Sequence, residues 1–137
     1  MNASVAVNVN PIIPLVARIL MGSLFLVAGV RKAMAFAGTA GYMAKLGFPA
    51  PEAMVVLAII IELGGAVLLI IGWRTRWVAW LLALFVLIAA FAAHRFWEFD
   101  ASQMNNQLNH FLKNLAIIGG FAMVAVFGPG PASVDKG

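Results

Sequence analysis

Four long apolar stretches constrain the fold of this chain more than any other feature. A bilayer core about 30 Å thick requires roughly 20 mostly apolar residues for each helical crossing. The sequence contains such stretches at about residues 14–34, 52–72, 77–97 and 108–127. Proline and glycine precede the second stretch, and the run Gly-Pro-Gly-Pro at 128–131 follows the fourth. This pattern predicts an all-α fold, an integral membrane four-helix bundle that forms a single domain over residues 1–137.

Composition excludes a soluble enzyme. Of the 137 residues, 64% are hydrophobic and 10% are charged, whereas soluble domains average about 25% charged residues. The chain has no cysteine, so it contains no disulfide, thiol nucleophile or cysteine-ligated cluster. The net charge of +4 is spread along the chain, which is typical of helix ends at a membrane surface and gives no nucleic-acid-binding patch. Phosphate-binding loops and nucleophile elbows are also absent, so we expect catalysis to require a partner.

The connections between the stretches predict which ends lie together. Residues 74–76 form a tight turn, whereas the connections 35–51 and 98–107 are longer and fall on one side of the membrane. We call this side the loop face, and the side that carries both chain termini the terminal face. The first stretch is too long for a signal-peptide core and no Lys or Arg precedes it, so we expect it to be retained. Positive charges are nearly balanced between the faces, and the orientation stays open.

Glu62 is the most informative residue because it lies near the middle of the second stretch. A charged group at that depth is costly unless it has a partner. Arg18 and Lys113 lie on either side of it in depth, and each has a side chain long enough to be that partner. Two interpretations follow: an ion pair that only fixes helix register, or a carboxylate that binds a ligand or takes up a proton.

A cluster of polar side chains is expected at the loop face. Its members lie at the end of the third stretch and the start of the fourth, with one from the first: His94, Arg95, Gln107, His110, Lys113, Asn114 and Lys32. The spacing of the two histidines matches no metal or haem motif, so we predict no metal site. A quinone needs only a hydrogen-bonding side chain and apolar walls, and it is the one cofactor that the cluster suggests. The alternative is a polar cap that satisfies helix ends.

Several motifs occur in a characteristic order along nearly the whole chain, from about residue 14 to 133. They are RILMG at 18–22, GVRK at 29–32, ELGG at 62–65, GWRTR at 72–76, KNLAIIGG at 113–120 and GPG at 128–130. In this respect the chain resembles the DoxX family of small four-helix bacterial membrane proteins. The resemblance implies an inner-membrane location and an association with membrane-bound redox complexes, since the family is named after the small membrane subunit of a thiosulfate:quinone oxidoreductase. On matching positions it points to Arg18, Lys32, Glu62, Lys113 and Asn114.

Three functional hypotheses therefore compete. The first is a membrane subunit of a redox complex, with a soluble redox enzyme as partner and a quinone-like ligand near Glu62 and the loop-face cluster. The second is a small permease or lipophile carrier gated by protonation of Glu62. The third is a non-catalytic scaffold in which the buried charges only hold the helices together. Small residues on the helix faces are compatible with a homo-oligomer.

Overall fold

The computed structural model describes residues 10–136 and contains five α-helices in that range. They are α1 (Ile12–Met34), α2 (Phe36–Lys45), α3 (Pro51–Ile71), α4 (Thr75–Ala93) and α5 (Ala101–Phe127), with a 3-10 turn at Phe96–Glu98 between α4 and α5. No strand occurs in this part of the chain. Four of the helices are long and apolar enough to cross a membrane, which confirms the predicted all-α membrane bundle. The expectation that the first stretch is retained depends partly on residues 1–9, which lie outside the described residues.

Two connections differ from the sequence prediction. The segment 35–51 contains the ten-residue helix α2, which packs against α3. The fourth spanning helix begins at Ala101, not at about residue 108, because Asp100 caps its N-terminus. The Asp100 carboxylate accepts hydrogen bonds from Ser102 Oγ and Gln103 N, and these bonds lower the pKa of Asp100.

Glycine allows α1 to lie close against α3. A Cβ atom on Gly22 would be 2.6 Å from Ile70 Cγ1, and one on Gly29 would be 2.7 Å from Leu63 Cδ2. Without a hydrophobic driving force between helices in lipid, such close packing supplies much of the association energy. Gly22 and Gly29 therefore lie at the α1–α3 contact, whereas a Cβ atom on Gly64 would have no heavy atom within 4 Å.

The helices pack in the order α1, α3, α4, α5. Phe25 and Phe121 lie in the core and meet at a centroid distance of 5.6 Å, joining the first and last helices of this order. Elsewhere α1 and α5 leave a groove of about 380 Å³ between them. Many large apolar side chains face outward, as expected for a surface in contact with lipid.

The start of α1 and the end of α5 lie on the same face, as predicted. A Cβ atom on Gly130 would be only 2.5 Å from Pro14 Cβ. The segment 128–136, which we call the C-terminal segment, turns back beneath α3 and α4 and donates backbone hydrogen bonds from Val134 N to Ile71 O and from Asp135 N to Gly72 O.

Candidate functional site

Glu62 forms a buried ion pair with Lys32. Lys32 Nζ lies 2.9 Å from Glu62 Oε1, and the two side chains are 25% and 4% exposed. The close packing at Gly29 produces this pair, since a Cβ there would be 3.4 Å from Glu62 Cβ and Lys32 lies one turn further along α1. The interpretation that Arg18 or Lys113 reaches Glu62 was wrong. The second carboxylate oxygen, Oε2, is buried and has no hydrogen-bond partner among the described residues.

The ion pair borders a cavity of about 460 Å³ between α2, α3 and α4. Its polar lining comes from Lys32, Glu62 and His94, with Thr39 and Tyr42 contributed by α2. Most of the wall is apolar, including Met43, Phe48, Met54, Phe85 and Ala89. The structure thus brings three of the predicted site residues to one apolar chamber.

His94 ends α4 and is held by α5. Its Nδ1 lies 2.8 Å from Gln107 Oε1, and its ring stacks on His110 with a centroid distance of 4.9 Å and an interplanar angle of 23°. The stacked rings do not converge on a common centre, and residues 10–136 contain no group of three metal-ligating side chains.

Arg18 lies at the terminal face, away from the cavity. Arg18 is 1% exposed, and its guanidinium donates to the carbonyl oxygens of Leu69 and Ile70 in α3 and of Ala132 in the C-terminal segment. The last carbonyls of a helix lack intrahelical donors and carry partial negative charge. Arg18 therefore completes the C-terminus of α3 and ties α1 to the C-terminal segment.

Two further predicted residues, Lys113 and Asn114, lie on α5 outside the cavity. Lys113 is exposed and Asn114 is half-buried, and neither lines the chamber. His110 and Gln107 contact the cavity only through His94. The loop-face cluster is thus two groups, one that surrounds the cavity and one on the outer surface of α5.

Asp135 caps the N-terminus of α4 from the C-terminal segment. Its carboxylate accepts hydrogen bonds from Thr75 N, Thr75 Oγ1 and Arg74 N at 2.7–2.8 Å. The bond from Thr75 N, with those from the other donors, lowers the pKa of Asp135. This cap satisfies helix donors that the tight turn leaves free. No local sequence pattern predicts it, because Asp135 and Thr75 are 60 residues apart in the chain.

The contribution of α2 to the cavity was also missed. Thr39 and Met43 of α2 line the chamber, as does Leu46 directly after it. The 4-3 spacing of these three residues is the helical signal that the segment carries. Two glycines, Gly38 and Gly41, weaken that signal because glycine is a poor helix former.

The four spanning helices and the outward apolar surface define a multi-pass helical membrane protein, and this bundle has an apolar chamber between α2, α3 and α4. A profile of the DoxX family matches residues 13–95. The chain is 35% identical over 127 residues to the inner membrane protein YphA of Escherichia coli (strain K12), covering 93% of this chain and 91% of YphA. It is 42% identical over 122 residues to the inner membrane protein YqjF of the same organism, covering 89% and 88%. No solved structure gives a significant match.

The protein belongs to the DoxX family and is a multi-pass inner membrane protein. The resemblance found in the sequence is therefore confirmed.

Proposed function

We propose that the protein is the membrane component of a quinone-linked redox complex and that a lipophilic ligand of the quinone class occupies the chamber between α2, α3 and α4. The observation that carries the proposal is an apolar cavity of about 460 Å³ bordered by a buried Lys32–Glu62 pair. Ligand sites typically have about 300–1,000 Å³ of apolar space with a few polar groups that orient the ligand.

The position of the chamber supports entry from the bilayer. Leu57, Leu84 and Ile88 line the cavity and are also exposed on the outer surface of α3 and α4. In a membrane that surface contacts lipid tails, so a molecule dissolved in the hydrocarbon reaches the chamber without crossing a polar layer.

A partner is required because this chain offers no electron-transfer group of its own by sequence. It has no cysteine, and we expect the electrons to come from a soluble redox enzyme.

The loop face is the expected docking side. Helix α5 has 27 residues, which corresponds to about 40 Å at 1.5 Å per residue and exceeds the bilayer core of about 30 Å. Its first turns, with exposed Gln103, Asn105 and Asn106, extend beyond the core close to His94.

Purification of the tagged protein from its native membrane in mild detergent tests the proposal. Mass spectrometry identifies the co-purifying polypeptides and the solvent-extracted lipids. We expect a stoichiometric soluble redox enzyme and enriched quinone. The variant Ala89→Phe, which fills the chamber, should lose the quinone and keep the partner. Ala53→Phe, at an exposed position of α3 outside the chamber, is the matched control.

The outcomes separate the hypotheses. Quinone that is absent, or that is unaffected by Ala89→Phe, contradicts the ligand site. A protein that carries quinone but no partner contradicts the subunit role and favours the lipophile carrier. A protein with neither favours the scaffold.

A further inference from the structure

The chamber contains hydrogen-bonding groups that no residue in the described range satisfies. Glu62 Oε1 is bound by Lys32, but the buried Oε2 has no partner. A buried polar atom without a partner is destabilising, and more so when it is charged, so Oε2 requires a donor. Lys32 uses one donor on Glu62, and its ammonium has three.

His94 also lines the chamber, and its Nδ1 is engaged by Gln107 Oε1. The walls are otherwise almost entirely apolar. Among the polar groups of the chamber, Glu62 Oε2 is the buried acceptor without a partner, and Lys32 retains donors beyond the one that it uses on Glu62.

A hydroxyl group and a carbonyl group use this arrangement differently. A hydroxyl oxygen accepts from Lys32 Nζ while its proton is donated to Glu62 Oε2. A carbonyl oxygen accepts from Lys32 and leaves Oε2 unsatisfied. Leaving Oε2 without a donor weakens the binding of a carbonyl ligand relative to a hydroxyl ligand. A binding site with buried polar groups discriminates strongly against a ligand that leaves one of them unpaired.

We propose that the chamber selects an apolar molecule with a hydroxyl-bearing aromatic head group, which for a quinone is the reduced hydroquinone form. The hydroxyl bridges Lys32 and Glu62. This inference rests on the proposed function and deepens it, since it states which redox form the site prefers.

Native mass spectrometry of the purified full-length protein tests the preference. Three probes are titrated separately under anaerobic conditions: 2-decyl-1,4-hydroquinone, its 1,4-dimethyl ether and 2-decyl-1,4-benzoquinone. We expect the hydroquinone to bind at least about tenfold tighter than either other probe, the effect of one hydrogen bond to a charged acceptor. Replacing the pair by Lys32→Met together with Glu62→Leu should bring the three affinities to within about threefold. Lys113→Met, which lies outside the chamber, should keep the preference.

Three outcomes contradict the inference in distinguishable ways. Equal binding of all three probes to the unmodified protein overturns the preference and leaves the quinone-class site standing. Tighter binding of the benzoquinone reverses the preference and also overturns it. Absence of binding by every probe overturns both the preference and the proposed function. The comparison of probes on the unmodified protein decides the question even where the double variant does not fold.

Discussion

Replacing Lys32 by methionine leaves the Glu62 carboxylate buried without a counter-ion. Removing one partner of a buried ion pair costs about 3–5 kcal/mol, whereas replacing both partners by apolar residues is often neutral or stabilising. Lys32 retains 25% exposure and Glu62 only 4%, so we expect the lower end of that range. The expected loss for Lys32→Met is about 3 kcal/mol, a roughly 150-fold change in the unfolding equilibrium constant.

The double variant Lys32→Met with Glu62→Leu separates the pair from the packing. It removes both charges and keeps apolar volume at the boundary of α1 and α3, so its stability should lie within about 1 kcal/mol of the unmodified protein. Lys113→Met is the matched control, because Lys113 is exposed on α5 and substitutions of that kind usually change stability by less than about 0.5 kcal/mol.

Unfolding by sodium dodecyl sulfate in mixed micelles, followed by far-ultraviolet circular dichroism, provides the measurement. We expect the double variant and Lys113→Met to be about as stable as the unmodified protein. Lys32→Met should be much less stable than these three proteins. Unfolding of Lys32→Met and the double variant at the same detergent fraction would contradict this order, because the buried carboxylate would then not destabilise the fold.

Three further predictions concern the terminal face. Arg18→Met should destabilise the protein by about 2–4 kcal/mol, because buried carbonyls lose a charged donor. Arg18→Lys should recover little of that stability, because an ammonium lacks the guanidinium fork. Detergent unfolding measures both variants. Gly72→Ala should lower the free energy of unfolding by at least about 1 kcal/mol, since Gly72 has a φ of 73° and a Cβ there would lie 2.4 Å from Ser133 Cβ. Gly119→Ala is the control in the same assay and should leave stability unchanged, because a Cβ at Gly119 lies in open space. The pKa of Asp135 is lowered in the folded protein, so its cap stabilises the fold above the unfolded pKa of about 3.9. This contribution is lost as the pH falls through the lower folded pKa. Asp135→Asn should remove that part of the acid sensitivity, which is measured by comparing the stability of the two proteins from pH 5 to pH 2.

The spanning helices were predictable because a bilayer imposes length and apolarity directly on the sequence. Helix α2 was not, since a ten-residue helix with two glycines has little intrinsic stability and depends on packing against α3. The early start of α5 was hidden by its polar first turns. Asp100, three residues before Gln103, carries the local signal of a helix N-terminus. The apolar stretch that indicates a membrane span begins only near residue 108, so it does not include this signal.

The candidate site was predictable in part. The depth of Glu62 identified it as a residue that needs a partner, and that reasoning holds. The partner was assigned incorrectly because depth was counted along each helix alone, which placed Lys32 at the loop face. The long stem of Lys32 reaches inward instead, next to the turn where Gly29 brings α1 against α3. Such a lateral contact depends on the relative rotation of two helices, which residue spacing within one helix does not define.

The C-terminal segment also has a consequence for biogenesis. Asp135 caps α4, and Ala132 completes the set of carbonyls bound by Arg18, yet both residues are translated after all four spans. The first three spans therefore enter the membrane with the α3–α4 turn uncapped and Arg18 short of one acceptor. The α3–α4 turn is capped, and Arg18 gains its last acceptor, only after the final residues of the chain have been synthesised.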